Sequence, residues 1–262
     1  MLELFHWEPN GSALKPLIVL HEKRLPFQSH YVDLLAIDPP PRGVPDPIRE
    51  TRFNPEGEGP VLVHEGRQVS ESFFLIEYLE DAFPETPLRP PDALSHARIL
   101  AWGRFDNEVF TPGVNTLGCH RYLAPLLKGH GAEAVERFLS RISSRHLQEG
   151  WRMAFADAYS ADLLEDSERK VGIAVRRIED TLATSPWLAG STYSLADIDA
   201  FALCNSLPGL TPRLVNDKDT PRLLQWLHRI RERPAVRAAL AMSRTSRPEE
   251  AFVPGPEHSR WG

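Results

Sequence analysis

Only two cysteines, Cys119 and Cys204, occur in 262 residues. A disulfide framework is therefore not what holds this fold, and in a reducing compartment both are expected as free, buried thiols. No apolar run approaches the roughly 18 to 20 residues that span a bilayer, so no membrane partner is expected. The opening MLELFHWEPNG lacks both the basic start and the apolar stretch of a secretory signal, and a cytoplasmic location is expected. Positive charge is not in excess either: 30 Lys and Arg against 36 Asp and Glu leave a formal charge of -6. That balance repels phosphate backbones, so nucleic acid is not an expected partner. The ten histidines form no H-x-x-x-H pair or Cys/His cluster, and no metal site is expected.

What is present has two characters. Residues 2 to 6 alternate as a strand does, and Pro9-Asn10-Gly11 breaks the chain before an apolar helical series at Leu14, Leu17, Ile18 and His21. Residues 27 to 34 read as a second strand, parallel to the first because a helix separates them. Seven prolines between positions 39 and 60 exclude a long helix there and leave a loop with at most a short helix around Asp46 to Arg52. Pro60 to His64 and Arg67 to Ser70 flank Glu65-Gly66 and predict a tight hairpin. Glu71-Ser72 then opens a helix burying Phe73, Phe74, Ile76, Leu79 and Phe83 before Pro84.

Pro84, Pro87, Pro90 and Pro91 mark a linker at about 84 to 91. Beyond it the strand signals vanish, and helical spacing recurs over 92 to 111 and 165 to 183. Ser194-Leu-Ala-Asp197 is a capping box, with Tyr193 and Ile198 at the staple positions. A helix from Pro221 to Arg233 follows. The expected division is an α/β unit at 1–83, an all-α unit at 92–244, and an irregular tail at 245–262 lying on the surface or disordered.

A β-α-β then β-β-α order with proline starting the third strand matches the thioredoxin-like architecture. There that proline, here Pro60 after Gly59, is cis and frees backbone groups to pair with a peptide-like ligand. Glu71 and Ser72 at a helix start suit a zwitterion, the hydroxyl and free N–H groups holding a carboxylate and the acid an ammonium.

With these motifs, Asn54-Pro55-Glu56-Gly57-Glu58-Gly59-Pro60, Glu71-Ser72 and Ser194 to Asp197, the sequence resembles the glutathione S-transferase superfamily over about residues 2 to 240. Within it, Ala13-Leu14-Lys15-Pro16-Leu17, Ser70-Glu71-Ser72 through Asp81, Lys170-Val171-Gly172 and Tyr193 to Ile198 are similar to the bacterial β-aryl etherases of lignin catabolism. The resemblance implies glutathione as co-substrate, a second, aromatic small molecule as electrophile, and a homodimer. The implied reaction is cleavage of α-keto β-aryl ethers by thiolate attack at the β-carbon. It also implies Gly59, Pro60, Glu71 and Ser72 as glutathione-binding residues, with Arg49, Arg52 and Lys15 as candidates for the glycyl carboxylate. The catalytic candidates at the start of the first helix are Ser12, then Asn10, where a donor and the helix dipole would hold a thiolate. The electrophile's wall is expected among Trp102, Phe105, Phe110, Leu117, His120 and Tyr122. Gly59 departs from the valine common in the family. The alternatives are conjugation, dehalogenation or thioether lysis on another hydrophobic electrophile, and a transferase-like module that binds a protein without catalysis.

Overall fold

Leu2, Leu4 and His6 point inward while Glu3 and Phe5 are half-buried, and this alternation makes the strand β1 (Leu2–His6) in a computed structural model that describes residues 1–38 and 59–255. Helix α1 (Gly11–Glu22) carries the chain to β2 (Phe27–Tyr31), which pairs parallel with β1. β2 is shorter than the expected 27 to 34 because β1 ends at His6: after Val32 donates to the His6 carbonyl, the Leu35 amide turns onto the Asp33 carboxylate. β3 (Val61–His64) runs antiparallel to β1, and β4 (Arg67–Val69) antiparallel to β3, giving the order β2-β1-β3-β4 among the described residues. Glu65 and Gly66 both have positive φ, 52° and 77°, the conformation a two-residue hairpin requires. Helix α2 (Ser72–Ala82) closes this unit. The expected short helix at Asp46 to Arg52 lies outside the described residues.

The second unit is helical. Where a single helix over 92 to 111 is expected, α3 (Ala93–Phe105) continues through a π turn at Asp106–Phe110 into α4 (Thr111–Gly118). A second π turn at Cys119–Leu123 leads into α5 (Ala124–Leu127). Each widened turn precedes a proline, Pro112 or Pro125, whose ring would clash with the carbonyl four residues earlier in a regular helix. The rest are α6 (Ala132–Leu139), α7 (Arg145–Ala156), α8 (Ala161–Thr184), α9 (Leu195–Cys204), α10 (Leu207–Leu210), α11 (Pro221–Arg231) and α12 (Pro234–Leu240). Among the described residues, no helix is long and apolar enough to cross a membrane.

All of α9 is buried, so its acidic residues must be paired internally. Asp197 does more than cap its own helix. One carboxylate oxygen accepts from the Ser194 amide at 3.0 Å and from its hydroxyl, and the other from the Leu188 amide at 3.0 Å and Trp226 Nε1 at 2.9 Å. Burial pushes this carboxyl up to about 6 while those donors pull it down. Asp197→Asn leaves two donors facing an NH2 group, and each buried donor so orphaned costs about 1–3 kcal/mol. The expected result is a lower urea midpoint at unchanged slope.

The described part of the tail, expected to be irregular and on the surface or disordered, is irregular but partly core. Phe252 is only 5% exposed and belongs to the core. Apolar contact decides this: the ring lies on Gly118 and stacks on Tyr122, with centroids 6.0 Å apart and planes 13° from parallel.

Candidate active site

The register of the sheet brings three local features to one edge. Phe5 faces Val61, so Pro60 lies beside the end of β1, from which Trp7, Glu8 and Pro9 lead to Asn10. Val69 faces Leu62, so β4 delivers Ser70, Glu71 and Ser72 to that same edge.

Asn10 precedes α1 in extended backbone, φ -140°, and makes no side-chain cap. Gly11 then takes φ +48°, a left-handed conformation that glycine adopts without a Cβ penalty. The amides that open a helix have no intrahelical acceptor and carry its positive dipole end. Ser12 is half-buried here, and its hydroxyl has no hydrogen-bond partner among the described residues. Pro16 has no N–H to give to the Ser12 carbonyl. Asn10 is buried and donates from Nδ2 to the Ala251 carbonyl at 2.9 Å, while its Oδ1 is buried without a partner among the described residues. A donor from a bound molecule would satisfy that oxygen.

The Gly59–Pro60 peptide is cis, and Pro60 is buried at the head of β3. Among the described residues, a Cβ at Gly59 would meet nothing within 4 Å. Glu71 holds φ 65°, outside the usual range of a residue with a Cβ, a conformation that costs on the order of 1–3 kcal/mol and clusters at ligand sites. Ser72 begins α2, is buried, and has no side-chain partner among the described residues. A hydroxyl at a helix start, where the dipole is positive, beside a carboxylate, is chemistry that suits a zwitterion.

Lys15 is a correction. It is 1% exposed, and its ammonium lies 2.6 Å from the carboxylate of Asp199, itself fully buried. An ammonium so enclosed does not reach a ligand carboxylate in the cleft; it binds α1 to α9. Arg49 and Arg52 lie outside the described residues. Several of the expected wall aromatics are core. Trp102 is buried, donates from Nε1 to the Leu188 carbonyl at 3.0 Å, and lies under the Arg177 guanidinium with Phe105, at 4.3 and 4.2 Å. Phe110 and Leu117 are buried too. His120 pairs with Asp157 at 3.0 Å. Tyr122 remains, stacked on Phe252.

Asp106 is a polar group that periodicity could not reveal. Both its oxygens are buried without a hydrogen-bond partner among the described residues. Burial, then the negative charge of Asp199, pushes its carboxyl well above the carboxylate range. Held as the neutral acid, it leaves Lys15 and Asp199 as a balanced pair.

A thioredoxin-like sheet joined to a helical unit, with two helix starts and a cis-proline converging on one edge, defines a class of thiol-tripeptide transferases. The family model of the glutathione S-transferase N-terminal domain matches residues 12–82, and that of the C-terminal domain residues 142–234. The chain belongs to the glutathione S-transferase family. It is similar to Protein LigF of Sphingobium sp. strain SYK-6, 34% identical over 249 residues, covering 93% of this chain and 94% of that one. The crystal structure of that protein, described as a beta-etherase, superposes with a TM-score of 0.85 over 92% of this chain and 99% of the other. FtsZ-localized protein A of Caulobacter vibrioides is 27% identical over 247 residues, 91% of this chain and 90% of that protein.

Proposed function

We propose that the protein cleaves β-aryl ethers of α-keto aromatic dimers with glutathione as nucleophile. The likeness to the beta-etherase LigF across nearly the whole chain is the observation that carries the reading furthest. The geometry adds physical support. Glutathione's γ-glutamyl end fits the Ser72 hydroxyl, the α2 amides and the Glu71 carboxylate, and its cysteinyl backbone fits the edge before β3 at Gly59 and Pro60. Its sulfur then falls toward the start of α1. A free thiol, pKa about 8.5, is only a few per cent thiolate at neutral pH. The Ser12 hydroxyl and the α1 dipole favour the anion. The thiolate forms a C–S bond at the β-carbon as the C–O bond breaks, and the aryloxide leaves with the electron pair and takes a proton from solvent.

The domains divide at 1–83 and 92–244, and the active form is a cytoplasmic homodimer. Arg49 and Arg52 are the remaining candidates for the glycyl carboxylate. The test is product analysis: glutathione and an α-keto β-aryl ether should yield one equivalent each of phenol and glutathione thioether. No thioether, with glutathione binding intact, would overturn ether cleavage in favour of another electrophile. Ser72→Ala removes a hydrogen bond to a charged group, worth about 1.5–3 kcal/mol, and should raise the KM for glutathione by roughly 10- to 100-fold with kcat nearly unchanged.

The likeness to FtsZ-localized protein A favours a second reading, a transferase-like module that binds a protein partner. Absence of both glutathione binding and thiol-dependent turnover would select it.

A further inference from the structure

Helix α1 opens without two of the usual local holds. Asn10 makes no side-chain cap, its Nδ2 going instead to the Ala251 carbonyl, and the first turn carries no acid. Pro16 gives no N–H to the Ser12 carbonyl, and in a regular helix its ring crowds that same carbonyl. Yet this is the turn that presents the Ser12 hydroxyl and the unpaired amides to the sulfur. Hydrogen bonds weaken steeply off their axis, and a misplacement on the order of 1 Å at a reacting group costs about 10²-fold in rate. The hold must come from outside the helix.

Lys15 lies at the end of that turn, three residues after Ser12 and directly before Pro16. Its ammonium is 2.6 Å from the Asp199 carboxylate, and both side chains are buried. Asp199 is a firm anchor: every residue of α9 is buried, and Asp197 fastens the same helix to Leu188 and Trp226. An ammonium taken out of water stays with its counter-charge, because parting would strand both. The ionisable groups around the pair come from three further places: Asp106 on the first π turn, with Arg177 of α8 and Cys204 of α9 near that carboxyl. Asp106 is the neutral acid and so offers the ammonium no competing charge.

We propose that Lys15 is a positioning residue for the thiol site: its ion pair with Asp199 holds the first turn of α1 against α9, and with it the Ser12 hydroxyl and the amides that keep the glutathione sulfur anionic. Ionisation of a thiol held in one unit is then set by a carboxylate in the other. This rests on the glutathione reading above.

The test titrates the thiol of bound glutathione by the ultraviolet absorbance of its thiolate. Lys15→Met with Asp199→Leu removes the pair but strands no charge, so a role in stability alone predicts an unchanged titration. The expected midpoint is instead higher by about one pH unit, since a displaced donor no longer favours the anion. At neutral pH kcat should fall by about tenfold, with the KM for glutathione near the wild-type value because Ser72 and Glu71 still grip the other end. Asp199→Glu keeps both charges paired and shifts the carboxylate by one methylene; it too should raise the midpoint, and it serves if the double variant folds poorly. Pro16→Ala, added to the double variant, returns the N–H to the Ser12 carbonyl and should bring the midpoint back. Asp106→Asn alters the same core but neither partner of the pair, and should titrate as the wild type. A folded variant of either kind with a wild-type midpoint overturns the proposal, as does an Asp106→Asn shift equal to theirs or no return with Pro16→Ala. In each of those cases the glutathione reading stands. Wild-type protein that binds no glutathione overturns both.

Discussion

Ser12→Ala is expected to reduce kcat by about 10²–10³-fold, the usual cost of removing one donor aimed at a developing or resident anion. The hydroxyl sits at the start of α1, half-buried and without a competing partner among the described residues. Without it the dipole of α1 still favours the thiolate, by about 0.3–1 kcal/mol, so activity should persist at a low level and recover as pH rises. The pH-rate profile therefore separates the role from a structural one: in Ser12→Ala the rise in kcat moves to higher pH because the sulfur's pKa moves up. A full-rate Ser12→Ala enzyme with an unmoved profile would remove Ser12 from the chemistry. Asn10→Ala should differ in kind. Its Nδ2 holds the Ala251 carbonyl, so its loss should lower the urea midpoint as well as the activity.

Lys15→Met is expected to destabilise the fold by about 3–5 kcal/mol, the cost of leaving a buried charge without its partner. Lys15 and Asp199 are 2.6 Å apart and together excluded from water, and Met preserves the length of the side chain while removing its charge. Replacing both partners, Lys15→Met with Asp199→Leu, should recover most of the loss, because a buried ion pair exchanged for apolar groups of similar size is often neutral. Chemical denaturation of the two variants decides it; equal losses in the single and double variants would refute the pairing. Asp106 adds a pH dependence of known sign. Its carboxyl is raised well above 3.8 in the folded state, so the native protein keeps a proton that the unfolded chain releases above that pH. Stability contributed there is complete below pH 3.8 and declines as pH rises toward the folded pKa. Asp106→Asn should flatten that decline.

Much of this was legible locally. The hairpin at Glu65-Gly66, the helix opening at Glu71-Ser72 and the capping box at Ser194 to Asp197 each depend on residues within a few positions of one another, and turn and cap chemistry encode them directly. The edge carrying Asn10, Pro60 and Ser72 was also within reach, because alternation and the order of elements imply the register that brings them together. Lys15 was not: a cation in a sequence reads as a surface charge until its partner on another helix is known. The π turns ahead of Pro112 and Pro125 keep an apolar spacing close to that of an ordinary helix, so periodicity alone passes over them.

The sequence by itself determined two units of different class, the strands and helices of the first, and the pair of helix starts that suit a thiol tripeptide. Tertiary structure alone decided that Lys15 belongs to Asp199, that Asp197 gathers donors from Leu188 and Trp226, and that the last described residues return to cross the start of α1. The reason is separation along the chain. Backbone propensity, capping and hydrophobic period act over a turn or two, whereas a buried charge or a seated ring is satisfied by whatever the packed fold brings beside it, and Asn10 meets a carbonyl 241 positions away.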